Sequence, residues 1–322
     1  MNRSTVFGSA IDDGLSAILK ALRLDGVIYF QQEFPEPWAM QCGKSPYGQF
    51  HLVVSGSCMF GTGKESEVTR LDNGDLVLLP WGSQHWIGSS ATALRKDGMA
   101  VVDSCIRGEP AFAEGPASCT LICGHFDCDR SLKHPLLDEL PDCICLRNGG
   151  NLDNQWLDGV VSMLVEETSR PGSGFEAITS RLAEVLFIQI IRAYIHEHGI
   201  KSGFLAALSD KHICRALHYV HNNYSTEVSV DEMARVACMS RTSLSSKFNA
   251  LVGMPPGAYA AKWRMLKASE LLAATEDSIA AIALQVGYRD ESAFSRAFKN
   301  EFGHYPGAWR RQKLALTPLP LS

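Results

Sequence analysis

The chain has 322 residues, 46% of them apolar, with 30 Lys+Arg against 35 Asp+Glu. That length suits two domains or three, and the apolar share is ordinary for a globular protein that buries a real core. The most apolar helical stretch, LAEVLFIQIIRAYI, is about fourteen residues and carries Glu184, Gln189 and Arg192, too short and too polar to span a bilayer. The opening MNRSTVFGSAIDDG has no apolar run, so no secretory signal is expected there. A cytoplasmic protein with no membrane partner is expected. Its ten cysteines are then expected as reduced thiols, and eight of them lie before residue 150. The net charge of −5 is uneven. Residues 1–202 hold 16 Lys+Arg and 25 Asp+Glu, giving −9; residues 203–322 hold 14 and 10, giving +4. The excess points to a polyanionic partner for the C-terminal part.

In chain order, residues 11–24 place Ile11, Leu15, Ile18, Leu19 and Leu22 at helical spacing, which predicts one amphipathic helix. From Gly26 to about Leu146 the pattern turns to short β-type runs: VIYF, QFHLVVSG, CMFGTG, DLVLLP and ASCTLICGHF. Turn residues separate them, which predicts a sandwich or barrel. The breaker cluster LRNGGNLDN, 146–154, marks a boundary. Helical patterns follow at 155–168 and 175–198, split by RPGSG. The second has a stripe of Ile178, Leu182, Val185, Leu186, Gln189, Ile190 and Tyr194. It serves either to pack on its own domain or to join two protomers. A helical block then runs to Gln312, and the tail 313–322 is expected to be loose.

Within that block one frame occurs twice. SRTSLSSKFNALVGMPPGAY, from Ser240, and DESAFSRAFKNEFGHYPGAW, from Asp290, lie fifty residues apart and share six of twenty positions. Ser240 and Asp290 suit helix N-caps. Leu244 and Phe248, like Phe294 and Phe298, lie four apart on one helical face, which must be core. Gly253 and Gly303 stand where a left-handed residue ends a helix. A short helix precedes each copy, so each unit reads as helix, tight turn, helix with a polar outer face. Between the copies runs a stiff helix of about eighteen residues, which at ~1.5 Å per residue spans roughly 27 Å. Two such heads on a rod suit successive turns of one duplex.

The run IAAIALQVGYRDESAFSRAFKNEFGHYPGAWR resembles the signature of AraC/XylS-type transcription regulators, over about residues 210–311. The resemblance implies base-edge or backbone contacts to double-stranded promoter DNA from Thr242, Ser245 and Ser246 in the first recognition helix. In the second it implies Ser292, Ser295 and Arg296, with Lys299 one turn along suited to a phosphate. An activator that works with RNA polymerase is expected, with repression the open alternative. The short Thr and Ser side chains of the first set depart from the longer ones frequent in that family.

GDLVLLPWGSQH resembles the second cupin motif, G-x5-P-x-G-x2-H, at Gly74, Pro80, Gly82 and His85. Where the first motif would supply two His and a Glu, only His51 stands; Val53 occupies the second position. His51 and His85 are therefore candidate ligands of a divalent metal, or plain barrel histidines, and no cofactor is required. A cupin oxygenase with an accessory helical domain is the enzymatic alternative, against which the loss of ligands counts. Cys119 and Cys123 share one face of a strand, as do Cys143 and Cys145, with His125, Cys128 and His134 close in sequence. Buried thiols, redox sensors and soft-metal ligands are all open, with Cys123, Cys119 and Cys105 the sensor candidates.

The expected protein is thus α+β and multidomain. Residues 1–150 form an all-β cupin barrel that senses oxidation or a small ligand, 151–202 a helical dimerisation linker, and 203–312 an all-α double helix-turn-helix. It is a DNA-binding regulator, not an enzyme, and a homodimer.

Overall fold

The computed structural model describes residues 24–63, 68–128, 134–148 and 155–316, together with Leu15, Ile18 and Leu19. Those three residues are helical, and Ile18 and Leu19 are buried. The rest of the helix expected over 11–24 lies outside the described residues, apart from Leu24.

Contacts divide the chain into two compact units. The β-rich one comprises Leu24–Cys128 and Leu140–Gly199. The helical one comprises Ile200–Ser322, Asp129–Glu139 and the segment before Leu24. The helices expected as a separate linker thus group with the strands.

In the β-rich unit the strands are β1 (Asp25–Pro35), β2 (Ala39–Cys42), β3 (Gly48–Gly61), β4 (Val68–Asp72), β5 (Leu76–Leu79), β6 (His85–Gly88), β7 (Lys96–Asp97), β8 (Ala117–Asp127) and β9 (Ile144–Leu146). β3 is shared by two sheets. Its first half pairs with β8 and β5, and its second half with β4 and β6. The change falls at a bulge between Val53 and Ser55, beside Gly56. Gly56 has φ +76°, and a Cβ there would lie 2.0 Å from the Ser118 carbonyl oxygen, so only glycine turns this corner. The inner faces of both sheets meet over Phe34, Trp38, Val53, Leu71, Val77, Ile87 and Leu121, all essentially inaccessible. A helix α1 (Gly98–Ile106), capped by the Asp97 carboxylate, adds Val101 and Val102 to this core.

A short helix α2 (Pro135–Asp138) falls in the chain between β8 and β9. After β9 come α3 (Gln155–Ser169) and α4 (Phe175–His198), on the segments that periodicity predicts. α4 covers the outer face of the first sheet. Phe187 meets Phe126 edge-on at 5.1 Å, and Phe126 stacks on Phe50 at 4.8 Å. Ala183 comes so close to β1 that a Cβ on Gly26 would lie 2.4 Å from its own Cβ. Leu186 and Ile190 are fully buried, whereas Val185 is 40% and Ile178 42% exposed. The stripe therefore splits: its centre is core, and only an edge faces outward.

In the helical unit follow α5 (Gly203–Ser209), α6 (Lys211–Asn223), α7 (Val230–Val236), α8 (Arg241–Val252), α9 (Pro256–Ala274), α10 (Ile279–Gln285), α11 (Glu291–Phe302) and α12 (Pro306–Leu316). The last helix runs four residues beyond Gln312, so the tail expected to be loose from 313 is helical to Leu316; residues 317–322 lie outside the described residues. His134, close to Cys128 in sequence, packs in this helical unit against Phe204, Tyr259 and Trp263. Among the described residues, no helix is long and apolar enough to cross a membrane.

Candidate nucleic-acid interface and barrel site

The two helix-turn-helix units repeat at the level of atoms. Ser240 Oγ accepts from the Ser243 amide at 3.2 Å, and the Asp290 carboxylate accepts from Ser292 and Ala293. Gly253 and Gly303 end α8 and α11 with φ of +77° and +78°. Leu244, Phe248, Phe294 and Phe298 are all fully buried. The outward positions match too. Thr242, Ser246, Ser292, Arg296 and Lys299 are exposed, and Ser245 and Ser295 are half-buried. Two rows of short polar and cationic side chains, each on a helix held by its own aromatic core, form a surface suited to a duplex groove.

The heads differ in chemistry. Arg241 at the start of α8 pairs with Asp231 at 3.2 Å, and Lys247 with Asp210 at 2.5 Å, so the first head spends its cations internally. Both oxygens of Asp290 are occupied by backbone amides, and among the described residues Arg296 pairs with no carboxylate. Lys299 Nζ lies 4.6 Å from the Tyr305 ring centre, near the helix end. α9 joins the heads as a helix of 19 residues. Tyr259, Trp263 and Leu266 are buried on it, and Met265, Ala268 and Leu272 belong to the core of the second head.

In the β-rich unit, two cross-strand pairs face one another. His51 on β3 stands opposite Cys123 on β8, and Cys42 on β2 opposite His85 on β6. Residues directly opposite share a face of the sheet. The cupin-motif turn sets the second pair: Gly82, at φ +60°, has no room for a Cβ against the Ser45 and Tyr47 carbonyl oxygens. Cys42, His51 and His85 are 8%, 4% and 0% exposed, and their ligand atoms lie within 4.8 Å of one another.

The hydrogen bonds here have one direction. His85 Nδ1 is 2.8 Å from the Ser83 carbonyl oxygen, which only accepts, so His85 donates there. Burial lowers the His85 pKa to about 4, so the ring is neutral and its Nε2 accepts. The donor 2.7 Å away is therefore His51 Nε2. Burial, with His85 beside it, holds His51 well below the usual histidine range. Its Nδ1 then accepts from the Cys123 thiol at 2.9 Å. A cavity of about 390 Å³ reaches this chain, lined by Tyr29, Met40, Cys42, Tyr47, His51 and Cys123 among others.

Cys123 and Cys119 are 2% and 1% exposed. Burial pushes the Cys123 thiol well above its ordinary range and Cys105 to about 11. The accessible low-pKa thiolate of an oxidant sensor is not what this core provides for Cys123 or Cys105. Cys58, in contact with Cys119, is held up further by that hydrogen bond and by burial. Sequence reading found His51, His85 and Cys123 but missed Cys42. It lies nine positions before His51, and no motif spacing announces a partner that strand pairing supplies.

A cupin family profile matches residues 13–196, more than half of the chain, and a helix-turn-helix domain profile matches 233–312. This chain belongs to the AraC-type regulators with an N-terminal cupin domain. The regulator MtrA of Neisseria gonorrhoeae is 30% identical over 82% of this chain and 86% of its own. The regulator AlkR of Acinetobacter baylyi is 28% identical over 93% and 99%. RclR of Escherichia coli, described as an RCS-specific transcriptional activator, is 23% identical over 95% and 100%. The family makes the repeated helices a DNA-binding module and the protein a transcription regulator, not a cupin enzyme.

Proposed function

We propose that this regulator activates transcription from promoters it binds as a homodimer, working with RNA polymerase in the cytoplasm. The second recognition helix reads bases through Arg296, and the signal acts in the cupin unit at the floor of the cavity, where Cys42, His51, His85 and Cys123 meet. The observation that carries the DNA-reading assignment is the repeat of one burial frame in α8 and α11, with a long cation free of carboxylates only in the second. Activation is supported by the description of the relative RclR. The sensing role is supported by a cavity that ends on a buried polar cluster inside an otherwise apolar core. Of the candidate sensor thiols, Cys123 lines this cavity and fits the reading better as part of its wall than as a free nucleophile.

The test is binding of the full chain to its own upstream region. Salt-dependent affinity is expected, with protection of two major-groove faces one turn apart for each protomer. Binding without sequence preference would overturn the base-reading part.

A further inference from the structure

We infer that Cys42, His51 and His85 form a binding site for one thiophilic d10 cation, zinc(II) or copper(I), at the floor of the cavity. The inference deepens the reading of the cupin unit as the sensor by naming the class of ligand.

Three observations carry it. The first is convergence: one sulfur and two imidazole nitrogens from three strands lie within 4.8 Å of one another, all buried. Such a group has no role in an apolar core that a Leu or Val could fill. The second is aim. Outer partners hold both rings so that their Nε2 atoms face inward: the Ser83 carbonyl oxygen on His85 Nδ1, and Cys123 Sγ on His51 Nδ1. Metal-bound histidines are oriented in just this way by partners on their second nitrogen. The 2.7 Å between the Nε2 atoms is the span of one shared proton. A cation with bonds of about 2.0–2.1 Å to each nitrogen needs roughly 3.3–3.6 Å between them, so the rings part by less than about 1 Å on loading. The third is access. Cys42 and His51 both line the cavity, which leaves a further coordination position open to a water or a small donor.

The donor set selects the metal. A thiolate with two neutral imidazoles and no carboxylate suits zinc(II) or copper(I); magnesium, calcium and manganese prefer oxygen. It differs from the cupin motif, in which histidines are joined by a glutamate. The charge and proton balance is simple. Loading expels the Cys42 thiol proton to solvent as the sulfur–metal bond forms. His51 moves its proton from Nε2 to Nδ1, where it donates to Cys123 Sγ instead of accepting from it. Cation binding thereby reverses the hydrogen bond that joins β3 to β8 through these two side chains.

The experiment uses the full chain, stripped of metal and reduced, without DNA. Zinc(II), copper(I) under anaerobic conditions and magnesium(II) are titrated by calorimetry, and cobalt(II) is added as a spectroscopic probe. One equivalent of zinc(II) or copper(I) per chain is expected, with no uptake of magnesium(II). Cobalt(II) should give a thiolate-to-metal charge-transfer band. Cys42→Ser should abolish that band and weaken binding by about 100-fold or more, a larger loss than outer-partner changes produce. His85→Gln should weaken binding similarly, and Cys58→Ser, another buried thiol, should leave it unchanged. Melting curves of the metal-free variants establish that each is folded. If a variant is not, protection of Cys42 in the wild-type chain from alkylation by zinc(II) or copper(I), and not by magnesium(II), replaces it. No stoichiometric uptake by the wild type, or uptake that Cys42→Ser leaves intact, would overturn the site. Uptake is read without DNA, so its failure is distinct from failure of the sensing role, which shows as a DNA affinity indifferent to the metal.

Discussion

Cys238 holds in the first helix-turn-helix the backbone position that Gly287 holds in the second. Both are left-handed, at φ +53° and +83°, and both amides close the preceding helix, onto Arg235 and Leu284 carbonyls. From there two residues reach the N-cap Ser240 and three reach Asp290, so the second turn is one residue longer. A side chain in this conformation costs about 1–2 kcal/mol. Cys238→Gly should therefore stabilise the helical unit by about 0.5–1 kcal/mol, after the greater freedom of an unfolded glycine is offset. Gly287→Ala should destabilise it, because its Cβ would also press on the Tyr224 and Ser225 carbonyl oxygens at 2.9 and 3.0 Å. Urea unfolding followed by helix content measures both. Equal stability of Cys238→Gly and wild type would remove the strain argument.

Arg296→Ala should relax sequence preference at one or two base pairs, since an Arg fork on guanine contributes about 1–3 kcal/mol of discrimination. Lys299→Ala should weaken binding to all sequences and flatten the salt dependence by roughly one unit of slope. Site selection on randomised DNA separates them. An unchanged preferred sequence and affinity for Arg296→Ala would leave α11 a backbone and shape reader.

Protomer pairing through α4 should depend on its outward edge. Ile178→Glu with Val185→Glu should give monomers by sedimentation while the melting temperature holds. Leu186→Glu, by contrast, places an unpaired charge where the side chain is 0% exposed and should unfold the cupin unit, at a cost of several kcal/mol. A full dimer in the double variant would exclude this edge as the pairing surface.

Acid should loosen the helical unit through His134. Its Nδ1 accepts from the Leu136 amide at 3.1 Å, and burial with Lys262 nearby lowers its pKa to about 3. The unfolded chain takes up this proton near pH 6.5, the folded one only near 3. The contribution is thus complete above about pH 6.5 and is lost as pH falls toward 3, by up to ~1.4 kcal/mol per pH unit for one proton. His134→Asn keeps an N-cap acceptor and should flatten the slope of stability against pH in that window by up to one proton. An unchanged slope would show that His134 does not titrate there.

Much of this protein was fixed by neighbours along the chain. Caps at Ser240 and Asp290, glycines at 253 and 303 and aromatic pairs four apart all act within one or two helical turns, so the double reading head was legible without coordinates. The turn at Gly82 that places His85 is local too. Tertiary structure alone decided the rest, because alternation along a strand tells which residues share a face but not which strand lies opposite. That Cys42 would meet His51 and His85, that Leu186 would turn to the sheet while Val185 turned away, and that His134 would pack on Tyr259 all depend on pairings across 9 to 125 positions. Such contacts are set by the burial of whole faces, and no short-range pattern encodes them.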